Sequence, residues 1–146
     1  LPQERFISAP PLPIDDADGG CDTAGDSPFD AWSRQHPAIP VDEADYINDD
    51  GDRIFSILRA HGVSTLLYVG VHTNMCILDR PFGIKRMTRL GMRCILVRDL
   101  TDAMYDPKDP PFVSHEEGTE LVIEHIEKYW CPTVLSTQLA GATPAK

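Results

Sequence analysis

The run Gly70-Val71-His72-Thr73-Asn74-Met75-Cys76 places a histidine, a threonine, an asparagine and a cysteine within a few residues of one another. Cys76 carries the most chemistry. The thiolate form of cysteine is the nucleophile, and it is favoured where unpaired backbone N–H groups and the positive end of a helix dipole surround it. Cys76 follows the apolar run Leu66-Leu67-Tyr68-Val69-Gly70-Val71 and precedes a helix-like segment, residues 77–90, stopped by Gly91. A strand-to-helix junction supplies such a setting. A lone cysteine is also often a small buried apolar side chain, so its neighbours decide its role. His72 is the nearest candidate base, because a Cys–His pair activates a thiol, but its place in the bend leaves its ring direction open. Asp79 reads as a cap at the helix start.

The elements that must position these residues are legible as alternating strands and helices. Residues 49–52, Asp49-Asp50-Gly51-Asp52, put acidic groups where a helix start favours them. Ile54, Ile57, Leu58 and His61 recur at helical spacing, and Gly62 closes that helix. Residues 65–71 form a continuous apolar strand of the kind buried on both faces of a parallel sheet. Ile77, Pro81, Ile84 and Met87 mark the next helix, with a kink or late start at Pro81, which lacks the amide hydrogen. Residues 94–97 read as another buried strand. Ser114-His115-Glu116-Glu117 is a capping box opening a long helix whose inner stripe is Leu121, Val122, His125, Ile126 and Tyr129. Ala38-Ile39-Pro40-Val41 reads as a short edge strand. The alternation predicts an α/β fold: a three-layer α/β/α sandwich around a mostly parallel, Rossmann-like sheet.

Composition divides the chain. Its 146 residues carry a formal net charge of −10, which argues against nucleic acid and against an anionic membrane surface as partners. Residues 1–53 hold thirteen Asp/Glu and three Lys/Arg, and residues 54–146 hold ten of each, so the excess charge sits in the first third. Seven of the thirteen prolines fall within residues 1–40. We read residues 1–38 as a Pro/Asp-rich arm or cover segment, 39–138 as the α/β domain and 139–146 as a tail. Phe6, Ile7, Phe29 and Trp32 suggest an arm that packs on something. Asp15-Asp16-Ala17-Asp18-Gly19-Gly20 reads as an acidic turn, without the spacing or closing Glu of a calcium loop. No His/Cys/carboxylate cluster has metal-site spacing, and no cofactor is expected. The cysteine pattern does not specify disulfides, which favours a reducing, cytoplasmic location.

The seven-residue run ending at Cys76 resembles the nucleophile motif of the isochorismatase-like cysteine hydrolases, the superfamily that includes nicotinamidases. Arg93-Cys94-Ile95-Leu96-Val97-Arg98-Asp99 resembles that family's next strand with its terminal acid. Residues 115–130 resemble its last long helix, and Thr133-Val134-Leu135-Ser136-Thr137 its final edge strand. The similarity covers residues 39–137. It implies a cysteine-nucleophile hydrolase that cleaves a small amide or related bond through a thioester. It further implies a cis peptide between Val71 and His72, oxyanion donors at the amides of His72 and Cys76, and a pocket drawing on His72, Asn74, Asp99, Thr101 and Tyr105. It also implies a small-molecule substrate and a homo-oligomer. Two family features lack a match: the early apolar strand ending in Asp-x-Gln, and an upstream Lys, since no lysine precedes Lys85. The simplest account is that this chain lacks the family's first strands and helix; a second is a diverged member with a rewired site. The alternative function is a non-catalytic or truncated domain serving binding or assembly.

Overall fold

The structure is a computed structural model that describes residues 1–17 and 37–140. Helix α1, Gly51–Ala60, starts at Asp50, whose carboxylate accepts from the amides of Asp52 and Arg53. It stops at Gly62, where φ is +69°, a left-handed position that glycine takes without strain. Strand β1, Thr65–Val71, follows. A π-helical turn, Thr73–Ile77, leads on from it. The chain then breaks around Pro81 and restarts as α2, Ile84–Arg89, the late start that the missing proline amide dictates. Strand β2, Arg93–Asp102, precedes α3, His115–Tyr129. At the head of α3, Ser114 accepts from the amide of Glu117, as the capping box predicts. The chain closes with β3, Thr133–Val134, and α4, Ser136–Ala140.

The three strands form one parallel sheet in the order β1-β2-β3. The fold is thus mixed α/β. The core joins α2 and α3 to one face of the sheet: Leu78, Ile84, Met87, Leu96, Val122 and Ile126 are all fully enclosed. The N-terminal arm belongs to this core. Ile14 is buried in it, with Ile7, Ala9 and Leu12 packed alongside. The arm is also tied by backbone, Arg5 N to Arg89 O at 2.9 Å and Asp15 N to Pro110 O at 2.8 Å. An ion pair between Glu4 and Arg86 at 2.8 Å adds to these.

Four expectations are corrected. Residues 38–41 form no strand: residues 37–38 are a turn, and Ile39 and Val41 are exposed. Strand β1 is not buried on both faces. Leu67, Val69 and Val71 point to a face that no described element covers, and each is about half exposed. The strand read as residues 94–97 runs on to Asp102. Its pairing jumps from Tyr68–Leu96 to Gly70–Thr101, so β2 carries an irregular bulge over residues 97–100 that bends it away from β1. The final strand is only Thr133–Val134, because Asp99 captures Ser136 two residues on. Its carboxylate accepts from Ser136 N at 2.7 Å and Ser136 Oγ at 2.5 Å, and those contacts start α4. Phe29, Trp32, residues 141–146 of the tail and half of the acidic turn, residues 18–20, lie outside the described residues.

Candidate functional site

Gly70 ends the regular part of β1 with φ +110°, a conformation that L side chains rarely adopt. The following Val71–His72 peptide is cis, at the bond singled out by the resemblance. His72 then caps the π-turn with its carbonyl, which accepts from the amides of both Met75 and Ile77 at 3.1 Å. Two buried polar side chains fasten this turn to the rest of the rim. Thr73 Oγ1 meets Thr101 Oγ1 at 2.6 Å. Asn74 uses its whole amide: Oδ1 accepts from Met104 N at 2.9 Å, and Nδ2 donates to Met104 O at 3.0 Å and to Asp16 Oδ2 at 3.2 Å. Asn74 thereby pairs with the Met104 backbone as a neighbouring strand would, and it leaves none of its own polar atoms unsatisfied.

These anchors open Cys76 onto a cavity of about 430 Å³ lined by Asp16, Asn74, Cys76, Asp79, Arg80 and Pro81. That size suits a small molecule. Cys76 is half-buried. Asp79 is paired with Lys85 Nζ at 2.6 Å. The carboxylate that sequence reasoning missed is Asp16. Its only local signal is the acidic turn, and what delivers it is the arm: the extended Pro10-Pro11-Leu12-Pro13 segment, the buried Ile14 and the Asp15 bond to Pro110. Arg80 was missed as well, because nothing in its spacing marks it apart from other surface cations.

The other expected site residues divide. Cys76 and Asn74 line the cavity together. Val71 and His72 supply the cis bond, but the Val71 side chain is exposed and His72 is not among the lining residues. Thr101 stands behind the turn, bonded to Thr73. Asp99 is corrected. The β2 bulge turns it toward α4, where the Ser136 hydroxyl and amide hold its carboxyl below the usual range. Tyr105 is corrected too. It is a core residue packed on Gly118, with its hydroxyl donating to Asp109 O at 2.8 Å. The acid that does end β2 is Asp102. It accepts from His115 Nε2 at 2.8 Å and from Thr119 Oγ1 at 3.0 Å. His115 Nδ1 meets Tyr105 O at 3.0 Å. With an acceptor at each ring nitrogen, His115 favours its doubly protonated form, and its pKa is raised by the Tyr105 carbonyl and by Asp102.

The remaining described thiols are unsuited to chemistry. Burial pushes Cys94 up, and it pushes Cys131 up to about 12, which keeps both as thiols at neutral pH. His125 is a core histidine, as expected, and its pKa is lowered first by burial and then by Lys85. Among the described residues, no group of three or more His, Cys, Asp or Glu could hold a metal ion, and no helix is long and apolar enough to cross a membrane. Compared with family models, with curated proteins and with solved structures, the chain matches none of them.

Proposed function

We propose that the chain is a cysteine-nucleophile hydrolase of a small amide or related bond, built on a three-layer α/β/α scaffold. The observation that carries this reading is that Asp16 and Cys76, sixty residues apart in sequence, line one small-molecule-sized cavity. The motif resemblance around Cys76 agrees with it. Asp16 takes the thiol proton, and the thiolate attacks the carbonyl carbon. The carbonyl electron pair moves onto oxygen, where the Cys76 amide receives it. The C–N bond then breaks, Asp16 returns the proton to the leaving amine, and a Cys76 thioester remains. Water, deprotonated by Asp16, attacks that thioester; the C–S bond breaks, the acid departs and the thiol is restored. Asn74 is a positioning residue, since its Nδ2 hydrogen bond holds the Asp16 carboxylate in place.

A binding or assembly role is the second reading. One observation favours it: among the described residues the Cys76 thiol makes no hydrogen bond to a carboxylate. Alkylation by iodoacetamide at pH 8, in a Cys21→Ser background, separates the two. The hydrolase reading expects Cys76 to react at least about tenfold faster than Cys94 and Cys131, as an accessible thiol does beside buried ones. It further expects Asp16→Asn to slow Cys76. A Cys76 rate that Asp16→Asn leaves unchanged favours the second reading, since accessibility sets Cys76 apart from the buried thiols in either case. Either way, we propose self-association through the open β1 edge, whose seven residues carry no charge or proline to block strand pairing.

A further inference from the structure

A second hollow lies between the N-terminal arm and α2, with a volume of about 390 Å³. Trp130, Lys85, Arg89, Asp79 and Ser8 are among its lining residues, with Phe6, Ile7 and Pro10 adding apolar surface. The Arg89 guanidinium lies 5.2 Å from the centre of the Trp130 ring and the Lys85 ammonium 5.8 Å from it. Lys85 is paired with Asp79. Arg89 has its stack on Trp130 and no ion-pair partner among the described residues. One carboxylate against two cations leaves a net positive charge in the hollow. Trp130 is only 8 % exposed, and its buried Nε1–H has no acceptor. That atom is enclosed and does not open onto the hollow, so the indole N–H reports on binding beside it without serving as a donor.

The hollow therefore offers a planar guanidinium without an ion-pair partner among the described residues, held beside an aromatic ring. A carboxylate suits it, because it is planar, singly charged and has two acceptor oxygens that match the guanidinium fork. We infer that this hollow binds the carboxylate of a small organic acid, with Arg89 as its direct partner and the Trp130 ring beside it. Lys85 raises the local potential, while the Asp79 carboxylate disfavours a dianion. Ile7 and Pro10 offer apolar surface to the body of the acid. Asp79 lines both this hollow and the Cys76 cavity, so the acid sits next to the proposed reaction site. Binding here does not require that Cys76 be reactive.

The test is a titration of the full ¹⁵N-labelled chain, carrying Trp32→Phe so that Trp130 gives the one indole N–H signal. Benzoate is expected to move that signal saturably, and benzamide, its neutral analogue, is not. Arg89→Gln is expected to weaken the benzoate response about tenfold, the scale of one charge-assisted contact. Arg89→Lys, which keeps the charge but loses the fork, should fall between. Unchanged signals elsewhere in the spectrum establish that both variants are folded. An indole signal that benzoate leaves in place overturns the inference, as does one that benzamide moves equally or one that responds alike in Arg89→Gln. Inorganic phosphate that binds as well as benzoate overturns the assignment to a carboxylate.

Discussion

At the scale of single residues, Asn74 does more than its type announces. Its amide holds both polar atoms of the Met104 peptide and one oxygen of Asp16, so three separate parts of the chain meet on one buried side chain. Replacing Asn74 by Ala strands the Met104 N–H and C=O in a buried setting, which costs about 1–3 kcal/mol. Urea denaturation is expected to show a lower midpoint with an unchanged slope. His115 makes a prediction of opposite character, one that depends on pH. Its pKa is raised above the ordinary value of 6.5, so the folded state holds the proton more tightly than the unfolded chain does. The stability it lends is complete below pH 6.5 and is lost as pH rises through the raised folded value. His125 has the opposite sign, because burial lowers its pKa. It costs stability as pH falls below 6.5, where the unfolded chain takes up the proton first. Urea midpoints measured across pH 5.5–8.5 for the parent and for His115→Gln are expected to converge toward the alkaline end. A gap that stays constant with pH contradicts a role for the His115 charge.

At the scale of elements, local chemistry made much of the fold readable. Asp50 and Gly62 bracket α1, Ser114 opens α3 and Pro81 delays α2, and each acts within a few residues of its own position. The β2 bulge and the α4 cap were not readable. Both depend on a contact between Asp99 and Ser136 that spans thirty-seven positions, and no local period signals it. The same long reach hid Asp16 and turned Tyr105 from an expected pocket residue into a core one. Tyr105 packs so closely on α3 that a Cβ built on Gly118 would lie 2.2 Å from its ring. Gly118→Ala must therefore displace the ring or the helix. It is expected to cost about 1–3 kcal/mol, the usual penalty for overpacking, and to lower the thermal midpoint. A midpoint equal to the parent's contradicts the close fit of this helix against the loop that Asn74 holds.

At the scale of the whole molecule, the arm and the sheet have complementary roles. The acidic first third sends its described part across α2 and α3 to the Cys76 cavity, while the far face of β1 lies open with Leu67, Val69 and Val71 exposed. An apolar, uncharged strand edge of this kind favours association. Val69→Lys is expected to reduce self-association in sedimentation at concentrations where the parent associates, and a parent that stays monomeric over the same range contradicts the proposal. The motif around Cys76 was legible because it is contiguous; the delivery of Asp16 to it was not, because folding alone brings residue 16 to residue 76. That meeting is the centre of the functional account, and acyl trapping tests it most directly. The Cys21→Ser chain is treated with p-nitrophenyl acetate, quenched in acid and mapped by peptide mass spectrometry, with and without Asp16→Asn. The account predicts an acetyl group on Cys76 alone among the cysteines, formed and released more slowly when Asp16 is replaced. Acetylation absent from Cys76, or unaffected by Asp16→Asn, contradicts it.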